Sequence, residues 1–353
     1  MGAFFGEMRT IEWIQESNTV RMIDQRWLPA RLDYLHCKSA AEVAEAIRSM
    51  AIRGAPALGV AGAFGIALDA LRGEFQTIGE MNERLQRSAD QLIRSRPTAV
   101  NLAWGVKRIM EVVGNSSLSV DKLQKRILAE ALEIAEEDVR TNLLLAQNGA
   151  SLIDDGDTII HHCNTGSLAV VDWGTALGAI RFAHEHGKHV HVLVDETRPR
   201  LQGTRLTAWE CEQYHIPYEI ITDNAAGYFL HSGKVQKVFF GADRVAANGD
   251  VINKIGTYML SLAAHANQVP VVSVFPISTL DLNIACGNQV DIEQRDSEEV
   301  LGIQYQGEAV APEGARALNP AFDITPNELI SAWVTERGII RPPFTKNLTS
   351  LRL

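Results

Sequence analysis

TIIHHC, residues 158–163, is an apolar pair of isoleucines that runs straight into two histidines and a thiol. Four more short runs of this kind follow it: HVHVLVDE (189–196), YEIITD (218–223), KVFFGAD (237–243) and PVVSVFP (270–276). Each is too short for a stable helix and rich in Ile, Val or Phe. Each is also set apart from the next by a helical stretch, at Trp173–His186, Leu206–His215, Ala225–His231 and Gly256–Asn267. Buried strands that alternate with helices predict an α/β fold with a parallel sheet covered by helices. Polar residues follow every run: Cys163-Asn164-Thr165, Asp195-Glu196-Thr197-Arg198, Asp223-Asn224, Asp243-Arg244 and Ser278. In an open parallel sheet all of these emerge at the carboxyl edge, where ligands bind at the switch in strand order.

Upstream the pattern is mixed and mostly helical. Strands are predicted at Thr10–Trp13 and Thr19–Ile23, and helices over Ala40–Ile52, after Pro56 and near Ile78–Arg94. GNSSLSV (114–120) reads as a loop, and Asp121–Gly149 is long, periodic and rich in good helix formers. The expected organisation is a smaller mixed domain over 1–125, a linking helix over 126–150 and the parallel-sheet domain over 151–353. GAPALGVAGAFGIAL (54–68) is uncharged for fifteen residues, short of the roughly 20 that span a bilayer. Its glycines and alanines predict close helix packing in a core.

The 353 residues carry a net charge of −10, which offers no general attraction to nucleic acid or an anionic membrane. The four cysteines are widely separated, and the first twenty residues hold Glu7, Glu12 and Glu16 instead of a basic stretch and an apolar run. The expectation is a cytoplasmic protein with free thiols. No strand–GxGxxG–helix fingerprint and no GxxxxGK[ST] occurs, so no NAD, FAD or ATP is expected. His161 and His162 are strand neighbours that face opposite ways, and there is no CxxC, so no metal site is expected either.

Two side chains stand out as candidates for chemistry. Cys163 lies just beyond a strand and before a polar turn whose N–H groups would favour a thiolate; its plainer reading is a buried inert cysteine. Asp243 follows apolar FFGA, where burial would raise its pKa and suit it to donate a proton; its plainer reading is a turn cap. Facing each other across one crevice they would form an acid/base pair. Donors for a phosphate are available as well. Arg53 stands with Gly54 and Ala55 at the start of a helix, and Arg96 and Lys254 lie beside turn or helix-start signals. Asn253 and Gln202 supply amides able to bond sugar hydroxyls.

RGAPALG (53–59), SRPTAVNLAW (95–104), HCNTGSLA (162–169), DETRPRLQGTRLTAWE (195–210), GADRVAANGDVINKIGTY (241–258) and NPAFDITPNELI (319–330) together resemble the methylthioribose-1-phosphate isomerase family. The resemblance covers roughly residues 10 to 350. The wider family also includes ribose-1,5-bisphosphate isomerases and non-catalytic regulatory subunits of a translation-initiation exchange factor. The resemblance implies a cofactor-free aldose–ketose isomerase acting on a small phosphorylated sugar, a Rossmann-like C-terminal domain and a homodimer. It puts the catalytic cysteine at Cys163 and the catalytic aspartate at Asp243. Substrate-binding positions fall on Arg53, Gly54, Ala55, Arg96, Gln202, Asn253 and Lys254. The sequence departs from the family pattern at Thr165, where relatives often have alanine, and in VDIEQR (290–295).

Overall fold

The computed structural model describes residues 9–114 and 118–348, so the loop read at 114–120 falls partly outside the described residues. The chain divides into two compact units. One comprises residues up to Leu143 together with Gly166–Gly174, and the other Leu144–Thr165 together with Thr175 onward.

The first unit starts with an antiparallel meander, β1 (Ile11–Ile14), β2 (Thr19–Ile23) and β3 (Tyr34–Cys37). Helices α1 (Ala40–Arg48), α2 (Ala55–Arg72), α3 (Ile78–Ser95), α4 (Val100–Gly114) and α5 (Val120–Ala150) follow, the last continuing into the second unit. Ser39 and Thr77 cap α1 and α3 by accepting the N–H groups of Glu42 and Glu80, which satisfies donors that a helix start leaves open. By length and composition α2 could cross a membrane, but it is mostly buried. Its glycines explain the packing: a Cβ on Gly105 of α4 would come within 2.1 Å of the Gly59 carbonyl oxygen, and one on Gly62 within 2.9 Å of Leu102 and Val106. The two helix backbones approach as closely as the small-residue run predicts.

The second unit contains β4 (Thr158–His161), α6 (Ala176–Glu185), β5 (His191–Asp195), α7 (Ala208–Gln213), β6 (Tyr218–Ile221), α8 (Ala226–His231) and β7 (Lys237–Phe240). Then come β8 (Arg244–Ala246), β9 (Val251–Lys254), α9 (Thr257–Ala266), β10 (Val271–Val274), β11 (Leu280–Asp281) and the short pair β12 (Gln304–Tyr305) and β13 (Glu308–Ala309). β14 (Phe322–Thr325), β15 (Ala332–Thr335) and β16 (Gly338–Ile340) complete the strands. The main sheet has the order β16-β15-β10-β7-β4-β5-β6, parallel throughout except where β16 pairs with β15. Taken in chain order, its parallel strands run 6-5-4-1-2-3, the doubly wound Rossmann arrangement. The order reverses between β4 and β7, which pair with Ile160 opposite Val238 and His161 opposite Phe239. Val238, Phe239, Phe240, Phe275 and Trp333 are fully buried in this unit.

GADRVAANGDVINKIGTY holds strands that the sequence reading, with a helix only from Gly256, does not predict. It forms a β8–β9 hairpin inside a second sheet of order β11-β8-β9-β14 before α9 begins. Gly249 allows the turn, with φ 102°. Asp250 secures it by accepting the N–H groups of Gly287 and Asn327.

Candidate active site

Cys163 sits two residues past the end of β4, buried, with φ 67°. This left-handed backbone is uncommon for a residue other than glycine. Its N–H donates to Thr197 Oγ1 at 2.9 Å, and its carbonyl accepts from Thr207 Oγ1 at 2.7 Å. Asn164 Nδ2 donates to Glu210 Oε1 of α7 at 2.8 Å. Thr165 has a specific place: its hydroxyl pairs with His161 Nε2 at 2.8 Å and accepts the Leu177 N–H at 3.0 Å. Its γ-methyl lies 2.9 Å from where a Cβ on Gly241 would sit, so the ends of β4 and β7 touch here.

Asp243 leaves the neighbouring strand end, three residues past β7, and donates its N–H to Ile252 O at 3.0 Å as it enters the hairpin. Cys163 and Asp243 therefore come off the two strands that flank the reversal in strand order, on one edge of one sheet. One expectation needs correction. Asp243 is exposed, although Phe239 and Phe240 just before it are buried. Burial ends at Gly241, and Ala242 is already half-buried.

Gln202, Asn253 and Lys254 belong to the same unit and are all buried. Gln202 precedes a π-helical turn at Gly203–Thr207, a distortion that often marks functional positions. Its Oε1 accepts no hydrogen bond among the described residues, although buried polar atoms are nearly always satisfied. Asn253 Nδ2 donates to Thr257 Oγ1, and Lys254 Nζ donates to Ala321 O at 2.7 Å while lying 4.4 Å from the Phe322 ring. The VDIEQR segment borders this strand: Glu293 O accepts the Ala321 N–H, and Arg295 N–H donates to Asn319 O.

Arg53, Gly54, Ala55 and Arg96 belong to the first unit. Arg53 Nε donates to Gln25 Oε1 at 3.1 Å, and Gln25 Nε2 donates to Leu168 O at 2.7 Å. Gly54 is the N-cap of α2 with φ 95°, and a Cβ there would meet Ala169 O at 2.2 Å. Only glycine fits. Arg53 thus stands at a helix start whose first N–H groups have no partner within the helix. Arg96, half-buried, caps the C-terminus of α3.

The two histidines part company, as alternation along a strand requires, and both are buried. Burial, with the charge of His162 beside it, pushes His161 down to about 3. His162 donates from Nε2 to Ile255 O at 2.9 Å and pairs through Nδ1 with Asp195 Oδ2 at 3.0 Å. Desolvation alone would lower its pKa, but the hydrogen bond and charge of Asp195 outweigh burial and raise it. Burial in turn pushes Asp195 up to about 6 against the pull of His162. A carbonyl only accepts, so Nε2 keeps its proton, and a second proton lies between Nδ1 and the Asp195 carboxylate. His162, Asp195 and Asp223 have potential ligand atoms within 4.8 Å of one another. Hydrogen bonds account for that proximity: both His162 nitrogens are engaged, and Asp223 accepts the N–H groups of Thr197 and Arg198. Sequence reading missed this buried group, whose one signal was DETRPR.

His161 gives a pH-dependent stability. Above about pH 6.5 it is neutral in folded and unfolded chains alike. As the pH falls from there toward 3, only the unfolded chain takes up the proton, so stability present above 6.5 is lost across that window. Urea denaturation between pH 7 and 4.5 should show a shallower loss for His161→Gln than for the parent. Equal slopes would contradict the assignment.

A doubly wound sheet with a thiol and a carboxylate leaving the two strands at its switch point is the frame on which α/β proteins bind small ligands at the strand edge. Residues 51–342 match the profile of the initiation factor 2 subunit family. A methylthioribose-1-phosphate isomerase of Thermotoga neapolitana is 48% identical over 97% of this chain and 98% of its own length. The crystal structure of 5-methylthioribose 1-phosphate isomerase from Pyrococcus horikoshii OT3 superposes with a TM-score of 0.91 at 39% identity, covering 99% of this chain and 96% of that one. The structure described as translation initiation factor eIF-2B, subunit delta, from A. fulgidus gives 0.88 at 41% identity, covering 98% and 99%. The chain belongs to the initiation factor 2 subunit family and, within it, to the methylthioribose-1-phosphate isomerases.

Proposed function

We propose that this chain is a cofactor-free isomerase of methionine salvage that converts 5-methylthio-α-D-ribose 1-phosphate into 5-methylthio-D-ribulose 1-phosphate. The observation that carries the reading is the departure of Cys163 and Asp243 from adjacent strand ends at the switch point. The conversion is redox-neutral within the substrate, since C2 is oxidised as C1 is reduced, so the chemistry requires no external oxidant.

The phosphate on C1 shapes the mechanism, because the anomeric oxygen has no proton to release when the ring opens. The ring oxygen must instead be protonated while C1 gains oxocarbenium character. Asp243 takes that role as general acid. Its exposure in the chain alone means that bound sugar has to supply the desolvation that favours the protonated acid. Hydrogen then moves from C2 to C1. Cys163 relays it as a proton, or serves as acid/base partner to an intramolecular hydride shift. Arg53, Gly54, Ala55, Arg96 and Lys254 hold the phosphate, and Asn253 and the open Oε1 of Gln202 meet sugar hydroxyls. The working protein is a homodimer in the cytoplasm, a setting that suits its four free thiols.

The likeness to a chain described as a translation-factor subunit supports a second reading, a binding subunit without turnover. Proton NMR separates the two. The purified chain mixed with the methylthioribose phosphate, without added cofactor, should yield the ketose, and ribose 1,5-bisphosphate should turn over more slowly. Tight sugar-phosphate binding with neither substrate converted would favour the binding subunit and sink the isomerase.

A further inference from the structure

We infer that Thr197 is a positioning residue for Cys163, holding the thiol's backbone in its left-handed conformation through a hydroxyl. The inference rests on the proposed catalytic role of Cys163. Residues just past a parallel strand ordinarily stay extended or enter a turn. Cys163 instead takes φ 67°, which redirects its Cα–Cβ bond in the manner of a nucleophile elbow. A non-glycine residue keeps such a conformation only where its surroundings over-determine it. Both of its peptide groups are held here. Thr197 Oγ1 accepts the Cys163 N–H at 2.9 Å and donates to Asp195 O at 3.0 Å, so its proton is committed and its lone pair faces Cys163. On the other side Thr207 Oγ1 donates to the Cys163 carbonyl at 2.7 Å and accepts from Asn164 Nδ2 at 3.1 Å. Both threonines are fully buried, so water cannot substitute for either hydroxyl.

Thr197 is itself left-handed, with φ 61°, which is rarer still for a β-branched residue. Asp223 at the end of β6 accounts for it. One carboxylate oxygen accepts the Thr197 N–H and the other the Arg198 N–H, each at 2.7 Å. Three neighbouring strand ends are linked in series: Asp223 fixes Thr197, and Thr197 fixes Cys163. This linkage makes the Thr197 hydroxyl, and not merely its bulk, a requirement for thiol placement.

Two substitutions separate hydroxyl from bulk. Thr197→Val keeps the branched shape and loses the donor–acceptor oxygen, whereas Thr197→Ser keeps the oxygen and loses the methyl. Thr197→Val should lower kcat about 100-fold, the scale of a 1 Å misplacement, with KM moved by less than about 3-fold, and Thr197→Ser should recover to within about 3-fold of the parent. Thermal midpoints recorded alongside confirm folding. Should Thr197→Val not fold, Thr207→Val carries the same expectation through the Cys163 carbonyl. Cys163→Ser is assayed in parallel. If Cys163→Ser keeps parental kcat, the catalytic reading and this inference fall together. If Cys163→Ser is inactive while folded Thr197→Val keeps its kcat, raises KM in step with a loss of kcat, or is no worse than Thr197→Ser, this inference alone falls.

Discussion

Cys163→Ser is expected to lower kcat about a thousandfold, within the range of an acid/base group acting in the transition state, while thermal stability stays near the parent's. Serine is nearly the same size, and Thr197 and Thr207 hold position 163 through its backbone, so the left-handed turn should survive. What the substitution removes is acidity. A serine hydroxyl does not ionise near neutral pH, whereas a thiol ionises within reach of it, so a relay that takes hydrogen from C2 fails at its first proton transfer. KM should change little, because the proposed phosphate and hydroxyl contacts come from other residues. Loss of binding without loss of turnover would place Cys163 among the ligand contacts instead.

Asp243→Asn alone is expected to lower kcat about a hundred- to a thousandfold. The amide is isosteric and leaves the N–H bond to Ile252 in place, so the β8–β9 hairpin should form as before. The acid proton is gone, and the ring oxygen has no donor as C1 develops charge. A thermal midpoint recorded for the variant separates the kinetic effect from any change in folding. A variant that turns over at the parent's rate would move the general acid elsewhere.

The sequence carried the main sheet because its strands are buried on both faces and read as continuous apolar runs. β2 falls where it was expected, at Thr19–Ile23, and β4 and β7 begin where TIIHHC and KVFFGAD begin. β4 ends at His161, before the thiol, because Cys163 turns left-handed, and nothing in HHC announces that. The hairpin after Asp243 was hidden for a different reason. Its strand β9 is completed by β14, with Lys254 opposite Phe322, a pairing across a long sequence separation that local pattern does not report. Burial of Asp243 is read from the apolar FFGA before it, and that burial does not extend to the carboxylate. Gly166–Gly174 was equally silent: it directly follows the turn after Cys163 yet belongs with the first unit, where Thr10 donates to Ser167 O and Gln25 to Leu168 O. Cys163 and Asp243 were legible as residues, from their place after strands. Thr197 and the His162–Asp195 pair became legible only as a network.

One thiol and one carboxylate, from adjacent strand ends, are proposed to serve a single sugar as a unit. The most direct measurement is kcat for Cys163→Ser, Asp243→Asn and the double variant, with folding checked for each. Groups that act as a unit are strongly non-additive, so the double variant should be little slower than the slower single one. A double variant slowed by the full product of the two single losses would show that the two side chains act independently, and would contradict the account.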